Sequence, residues 1–194
     1  MWRSAKACLR SERLAILANK HYLAGIPEFQ IGEWEKTIAV GSLPLLAAGV
    51  DRVHWHLERQ HRVVLVTGTL APLARAIARH LPCGVQARAT ELEIRGGRLT
   101  GRISRKHLSF EEKARVIREE AAECNVDLSQ SFAYGNEMSD VSMLETVGHP
   151  AVVNASWGLG REARKRGWTV YKWNDPRETG RRPRHAGLAP KEAL

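Results

Sequence analysis

Acidic and amide side chains gather in the segment 131–144, which reads Ser-Phe-Ala-Tyr-Gly-Asn-Glu-Met-Ser-Asp-Val-Ser-Met-Leu. A short apolar strand is predicted to enter a tight turn, and an apolar helix is predicted to follow. The turn delivers Asn136, Glu137 and Asp140 to the carboxyl end of that strand. Carboxylate and amide oxygens at such a place suit a divalent cation that prefers oxygen ligands. A simple capped turn is the structural alternative for the same residues.

A second candidate site follows the apolar run Arg62-Val-Val-Leu-Val66, which is typical of a strand buried on both faces. The run ends at Thr67-Gly68-Thr69, and Pro72 opens a predicted helix over 73–81. Free backbone N–H groups and the helix dipole favour an anion such as phosphate at this kind of turn. Many strand–helix turns contain Thr and Gly only to make the turn. The motif alone therefore leaves open whether the segment binds phosphate or only forms the turn.

A third candidate is Lys113, near the start of a helix that is predicted to run to about Cys124. Ser109 is predicted to be its N-cap, with Glu112 three residues on completing a capping box. A lysine in the first turns of this helix can reach inward to neutralise a phosphate. Most helical lysines face solvent, however, so Lys113 taken alone does not indicate a phosphate site.

These elements occur along the chain in a distinctive order. Val64-Leu-Val-Thr-Gly-Thr comes first, followed by a hairpin over 90–103 with a Gly-Gly turn, Lys113, Tyr134-Gly-Asn-Glu-Met-Ser-Asp and Gly167-Trp. The succession resembles the haloacid dehalogenase (HAD) superfamily, specifically its phosphoserine phosphatase-like hydrolases. The resemblance extends from about residue 62 to Trp173, and the hairpin and the Gly-Asn-x-x-x-Asp segment are its most specific parts.

The resemblance implies an α/β fold: a Rossmann-like core with a mostly parallel sheet and a helical cap inserted after the first strand. Strands that alternate with helices after residue 62 favour the same class. We expect residues 1–61 to form the cap, 62–175 the core, and 176–194 a basic, disordered tail. The first core strand is expected to be missing from the N-terminus.

In such enzymes an aspartate on the first strand attacks phosphorus and forms an aspartyl-phosphate, which water then hydrolyses. A second aspartate two residues later acts as general acid and base, and Mg²⁺ offsets the oxyanion charge. By motif position, Thr67 and Gly68 would hold phosphate and Lys113 would stabilise it as a catalytic residue. Asn136 and Asp140 would serve the Mg²⁺ site.

Two departures from the family pattern affect the expected metal binding and catalysis. Asn136 stands where the family usually has aspartate, which removes one negative charge from the metal site. The chain also has no Asp-x-Asp, because its only aspartates are Asp51, Asp127, Asp140 and Asp175. The leading hypothesis is therefore an Mg²⁺-dependent phosphomonoester hydrolase that is N-terminally truncated as given. The alternative is a non-catalytic remnant that binds a phosphorylated ligand or a protein, and codons upstream of Met1 would discriminate between them.

Composition and charge argue against a membrane-spanning protein and against a specific nucleic-acid-binding protein. The chain is 43% hydrophobic and 26% charged, and no apolar run approaches the length of a membrane span. Ten of the Lys and Arg residues and four acidic residues lie from Arg161 onward, so six of the nine net positive charges belong to the C-terminal part. This distribution favours a solvated tail over a specific nucleic-acid site. The three cysteines are interpreted as small buried residues in a reducing, cytoplasmic setting.

We predict that the isolated chain is marginally stable, aggregation-prone or oligomeric. A missing central strand would leave two neighbouring sheet edges unpaired, and such edges promote self-association. Light scattering during thermal unfolding tests this. A cooperative, monomeric transition would contradict it.

Overall fold

The computed structural model of the chain describes residues 19–37, 45–82 and 84–173. Residues 1–18 and 38–44 of the predicted cap, the tail 176–194, Cys8 and Cys83 lie outside these ranges. No helix of the described part is long and apolar enough to cross a membrane.

The described residues form helices and strands in alternation. The helices are α1 (Glu28–Thr37), α2 (Ala47–Glu58), α3 (Ala71–His80), α4 (Glu111–Cys124), α5 (Val141–Leu144) and α6 (Trp157–Arg166). The strands are β1 (Val64–Leu70), β2 (Gln86–Thr90), β3 (Leu92–Arg95), β4 (Arg98–Ile103), β5 (Phe132–Gly135), β6 (His149–Val153) and β7 (Thr169–Tyr171). Short 3₁₀ turns occur at His21–Leu23, Leu128–Gln130 and Met138–Asp140.

Parallel pairing dominates the sheets, as predicted. β1 pairs with β2, and β5, β6 and β7 pair in that order, all in parallel. β3 and β4 form the one antiparallel pair among the described strands, and it is the predicted hairpin. Gly96 and Gly97 make its turn at φ +57° and +70°, a conformation that glycine adopts without steric cost.

Two apolar clusters hold these elements together. The larger one packs β5 and β6 against α5 and α6 through Ala133, Met143, Leu144, Val152, Leu159 and Ala163. The smaller one packs α1 and the 3₁₀ turn at His21–Leu23 onto the hairpin through Leu23, Ile31, Leu92 and Leu99. The residue before this 3₁₀ turn also bonds to β4 directly, since the N–H of Lys20 donates to the carbonyl of Gly101 at 2.9 Å.

Helix α2 packs on the core strands, although residues up to 61 were assigned to the cap. The ring of Trp55 lies 5.9 Å from that of Phe132 in an edge-on contact. Nε2 of His56 lies 2.9 Å from the hydroxyl of Tyr134. The cap–core boundary therefore remains a prediction, and α2 belongs structurally with the strands that it covers.

Two local predictions are wrong. Ser109 does not cap α4: the residue before the helix is Phe110, at φ +48°, and no side chain caps that end. This positive-φ residue leads the chain into the helix, and the N–H of Glu112 donates to the carbonyl of Ser109 at 3.1 Å. Cys124 is exposed rather than buried: it is the last residue of α4, beyond Ala121, the last buried position of that helix.

Gly148, just before β6, is predicted to be intolerant of any side chain. A Cβ atom there would lie 1.6 Å from the carbonyl oxygen of Ser129, which is main chain and cannot turn away. Gly148→Ala should therefore lower the free energy of unfolding by more than about 3 kcal/mol in urea titrations.

Gly32→Ala is the matched control, because Gly32 lies inside α1 with nothing within 4 Å of the added carbon. We expect a gain of up to about 1 kcal/mol from helix propensity there. Equal effects of the two substitutions would show that the contact at Gly148 is wrong.

Candidate functional site

Asp140 is the most constrained polar residue near the end of β5. Only 4% of its surface is exposed. Its Oδ2 accepts hydrogen bonds from the backbone N–H groups of Asn136 at 2.9 Å and Glu137 at 3.0 Å. Gly135 allows this close turn, since a Cβ atom there would meet the Cβ of Asp140 at 2.7 Å. The carboxylate thus fixes the loop that leaves β5.

Lys113 reaches the same carboxylate from α4. Its Nζ lies 2.5 Å from Oδ1 of Asp140, and the two side chains are only 11% and 6% exposed. A backbone bond joins the same elements, from the N–H of Phe110 to the carbonyl of Ser139 at 3.2 Å. The structure therefore turns Lys113 inward and brings it together with Asp140, although 27 residues separate them.

The Thr67-Gly68-Thr69 segment connects to the start of α4 through Thr90. The Thr90 hydroxyl donates to the carbonyl of Gly68 at 2.9 Å and accepts from the N–H of Leu108 at 3.2 Å. Gly68 tolerates this approach because it has no Cβ; one would lie 2.8 Å from Cε1 of His107. These residues lie where the pairing of β1 with β2 becomes irregular, between Val66 and Leu70.

Three residues around these loops have buried polar atoms; His107 and Ser156 escaped sequence analysis, and Ser109 was considered there only as an N-cap. Nδ1 of His107 and the hydroxyl oxygens of Ser109 and Ser156 have no hydrogen-bond partner among the described residues. Burial lowers the pKa of His107, and the positive charges of Lys20 and Lys113 lower it further. Ser156 adjoins the turn after β5 that contains Asn136 and Asp140, since its N–H donates to the carbonyl of Asn136 at 2.9 Å. Only the contacts of the folded chain distinguish these residues from ordinary loop positions.

Asn136 and Asp140 can supply part of a magnesium site. Asn136 is exposed, and its backbone is fixed by bonds at both its N–H and its carbonyl. One lone pair on Oδ1 of Asp140 is left after the bonds described above. Within the described ranges no group of three or more His, Cys, Asp or Glu side chains could hold a metal. The pair fits Mg²⁺, which commonly takes one or two protein oxygens and completes its shell with phosphate and water.

A histidine–aromatic cluster lies beside β5. His56, 7% exposed, places Nδ1 2.9 Å from Nδ1 of His61 and Nε2 2.9 Å from the hydroxyl of Tyr134. Burial, followed by the charges of His61, Arg52 and Arg59, lowers the pKa of His56 from 6.5 to about 4. Burial raises the pKa of Tyr134 to about 12. Both side chains are therefore neutral at pH 7.

Breaking the Lys113–Asp140 pair should be costly. Lys113→Met leaves a buried carboxylate without its cation, so we expect the free energy of unfolding to fall by about 3 kcal/mol. Lys36→Met is the matched control, because the Lys36–Glu33 pair is 72% and 58% exposed. Exposed pairs contribute at most about 1 kcal/mol. Urea denaturation compares the two, and equal losses would contradict an inward-facing Lys113.

His56 predicts a loss of stability in mild acid. Its folded pKa is lowered, so the unfolded chain binds more protons between pH 6.5 and pH 4. The contribution is complete above pH 6.5 and falls by about 3 kcal/mol as the pH approaches 4. His56→Gln should flatten this part of the stability–pH curve. His54→Gln, at an exposed position of the same helix, should leave it unchanged, and a flat wild-type curve would refute the assignment.

Comparison with known proteins assigns the sequence to a protein family. Residues 3–145 match the haloacid dehalogenase-like hydrolase family. A probable phosphatase of Mycobacterium tuberculosis is 34% identical over 136 residues, covering 68% of this chain and 45% of the relative. A phosphoserine phosphatase of the same organism is 33% identical over 126 residues, covering 65% of this chain and 41% of the relative. The chain thus spans less than half the length of these curated relatives.

Solved structures share the fold. A protein of unknown function from Bordetella pertussis Tohama I superposes with a TM-score of 0.67 at 31% identity, over 77% of this chain and 69% of that one. A probable phosphoserine phosphatase from Vibrio cholerae gives a TM-score of 0.56 at 22% identity, over 76% and 43% of the two chains. The family match covers most of the sequence and includes every motif up to Asp140. The chain belongs to the haloacid dehalogenase-like hydrolase family, with a phosphoserine phosphatase-like sequence and an α/β fold.

Proposed function

We propose that this chain carries the phosphate- and metal-binding part of an Mg²⁺-dependent phosphomonoester hydrolase. The observation that carries the proposal is the convergence of Gly68, Lys113 and Asp140 at one end of β1 and β5. These residues come from three separate stretches of sequence. Direct contacts connect them through Thr90, Leu108 and the start of α4.

The phosphate would bind between the Thr67-Gly68 segment and Lys113. Gly68 lies three residues before the start of α3 at Ala71, and the N-terminal dipole of a helix favours an anion nearby. The ammonium group of Lys113 can form a charge-assisted hydrogen bond to a phosphate oxygen. Asp140 holds that ammonium group in place, so Lys113 serves as a catalytic residue and Asp140 also orients it.

Asn136 and Asp140 would hold Mg²⁺. When bound, the ion neutralises negative charge on the phosphoryl oxygens. The exposed Asn136 amide offers a neutral oxygen, so we propose weaker Mg²⁺ binding than a second carboxylate would give. Nδ1 of His107 and the hydroxyl groups of Ser109 and Ser156 are further candidates to bond the substrate or its water.

The substrate would be a small phosphorylated metabolite, in keeping with the phosphoserine phosphatase relatives. We further propose a cytoplasmic enzyme, with self-association through exposed sheet edges. Catalysis requires an aspartate nucleophile, and the 194 residues contain no Asp-x-Asp to supply one. This observation keeps open the alternative of a non-catalytic remnant that binds a phosphorylated ligand or a protein.

Calorimetric titration of residues 1–194 with orthophosphate tests the binding site. We expect one site whose affinity increases with Mg²⁺ and falls about tenfold in Lys113→Gln, since a charge-assisted bond is lost. Lys106→Gln is the matched control, because the Lys106 side chain is 82% exposed. Gly68→Ala provides a second test, since its methyl group would displace the His107 ring.

Measurement of phosphate-ester hydrolysis distinguishes the hydrolase from the non-catalytic remnant. A chain extended at its N-terminus by an apolar strand ending in Asp-x-Asp-x-Thr should hydrolyse p-nitrophenyl phosphate, and EDTA or Asp140→Asn should abolish the activity. Phosphate binding without turnover in the extended chain would favour the remnant. Absence of both binding and turnover would overturn the proposal altogether.

A further inference from the structure

The outer side of helix α6 combines an exposed aromatic ring with exposed basic side chains. Its first residue, Trp157, is 78% exposed. Arg161, Arg164 and Lys165 are exposed as well, and they follow Trp157 by one to two helical turns. At 3.6 residues per turn these positions fall within about 100° of the helix circumference. We call these four residues the α6 face.

The opposite side of α6 is fixed in the core. Leu159, Gly160 and Ala163 are buried, and Leu159 and Ala163 belong to the larger apolar cluster. The helix is thereby held with the α6 face turned to solvent. A partner of this face can contact its side chains, but it cannot reach around the helix.

A second exposed apolar side chain adjoins Trp157. Met138 is 45% exposed, and its Cγ lies 3.2 Å from the place that a Cβ atom on Gly158 would occupy. Single exposed apolar residues are common on protein surfaces, whereas neighbouring large ones indicate an interaction site more often. Trp157 and Met138 give the α6 face an apolar end.

The positive charge of α6 is only partly balanced. The helix contains one acidic residue, Glu162, whose carboxylate lies 2.8 Å from Nε of Arg166 and 3.8 Å from Nζ of Lys165. Neither Arg161 nor Arg164 forms an ion pair within the part of the chain that the structure describes. The α6 face therefore attracts anions.

An exposed indole ring beside basic side chains suits the surface of a membrane. The guanidinium group of Arg161 lies 5.7 Å from the centre of the Trp157 ring. Indole rings prefer the boundary between lipid headgroups and acyl chains, and arginine and lysine are attracted to anionic headgroups. Each basic residue near such a surface strengthens binding by about fivefold.

The shape of the α6 face argues against a nucleic acid as its partner. Proteins bind single-stranded nucleic acids in grooves, where several aromatic rings stack on successive bases. The α6 face is the convex outside of a helix, and Trp157 is its one aromatic residue. A flat anionic lipid surface fits this shape better.

We infer that the α6 face, together with Met138, is a peripheral binding surface for membranes that contain anionic lipids. Trp157 and Met138 would enter the headgroup region, and the three basic side chains would contact lipid phosphates and carboxylates. The core holds the other side of α6, so the contact is shallow and depends on lipid charge and on salt. This inference requires neither the phosphate site nor hydrolysis.

Co-sedimentation of residues 1–194 with sucrose-loaded vesicles tests the inference. We expect binding to vesicles of phosphatidylcholine with phosphatidylserine, no binding to phosphatidylcholine alone, and release at high salt. Arg161→Gln/Arg164→Gln should bind at least about tenfold more weakly, because two charges are lost. Arg95→Gln/Arg102→Gln, at exposed positions of the hairpin, makes the same change in net charge and should bind normally.

Trp157→Ala tests the apolar end of the α6 face. We expect binding about tenfold weaker, because the indole ring no longer enters the headgroup region. Phe29→Ala, at a position 71% exposed on α1, is the matched control and should bind normally. Brominated lipids should quench tryptophan fluorescence of the bound protein, and Trp157→Phe should abolish the quenching.

Four results would overturn the inference. The first two are no binding to anionic vesicles and undiminished binding by a folded Arg161→Gln/Arg164→Gln protein. Tighter binding to a single-stranded oligonucleotide than to vesicles, lost in Trp157→Ala, would assign the α6 face to nucleic acid instead. Displacement from vesicles by orthophosphate would place the lipid contact at the candidate phosphate site.

Discussion

The carboxylate of Asp140 organises the region on which the rest of the structure depends. Its two oxygens bind the ammonium group of Lys113 and the main chain of the loop after β5. Buried charge is tolerated only where it is paired and hydrogen-bonded, and here both conditions are met. The pair joins β5 to α4, and Thr90 joins the start of α4 to β1. The side chains that we propose to bind phosphate are thereby held in fixed positions by contacts within the chain.

The separation of β1 from β5 sets the second constraint. The described strands include two parallel sheets that do not pair with each other, and residues 63–66 and 131–134 are among those that line a cavity of about 600 Å³. Thr67 and Gly68 lie on a strand of one sheet, and Asn136 directly follows a strand of the other. The candidates for phosphate binding and for metal binding therefore belong to different sheets, and the contacts of the start of α4 with Thr90 and Asp140 connect them.

Sequence predicted best where one residue type has one conformational consequence. Gly96 and Gly97 indicated the hairpin because their turn requires positive φ, and the structure has it. The predicted capping role of Ser109 was wrong: the helix begins after Phe110, whose N–H donates to the carbonyl of Ser139, a contact between distant segments that a local motif does not reveal. The pairing of His56 with Tyr134, 78 residues apart, left no local pattern in the sequence. Lys113 was identified by motif order, but its inward orientation became visible only through its contact with Asp140.

A crystal structure of residues 1–194 with Mg²⁺ and tungstate, a heavy phosphate analogue, tests the central claim most directly. We expect anomalous density for tungsten between the Thr67-Gly68 segment and Nζ of Lys113, with Mg²⁺ next to Asn136 and Asp140. Tungstate bound only at surface arginines, with the Lys113–Asp140 region unchanged, would contradict the claim that these residues form a phosphate site.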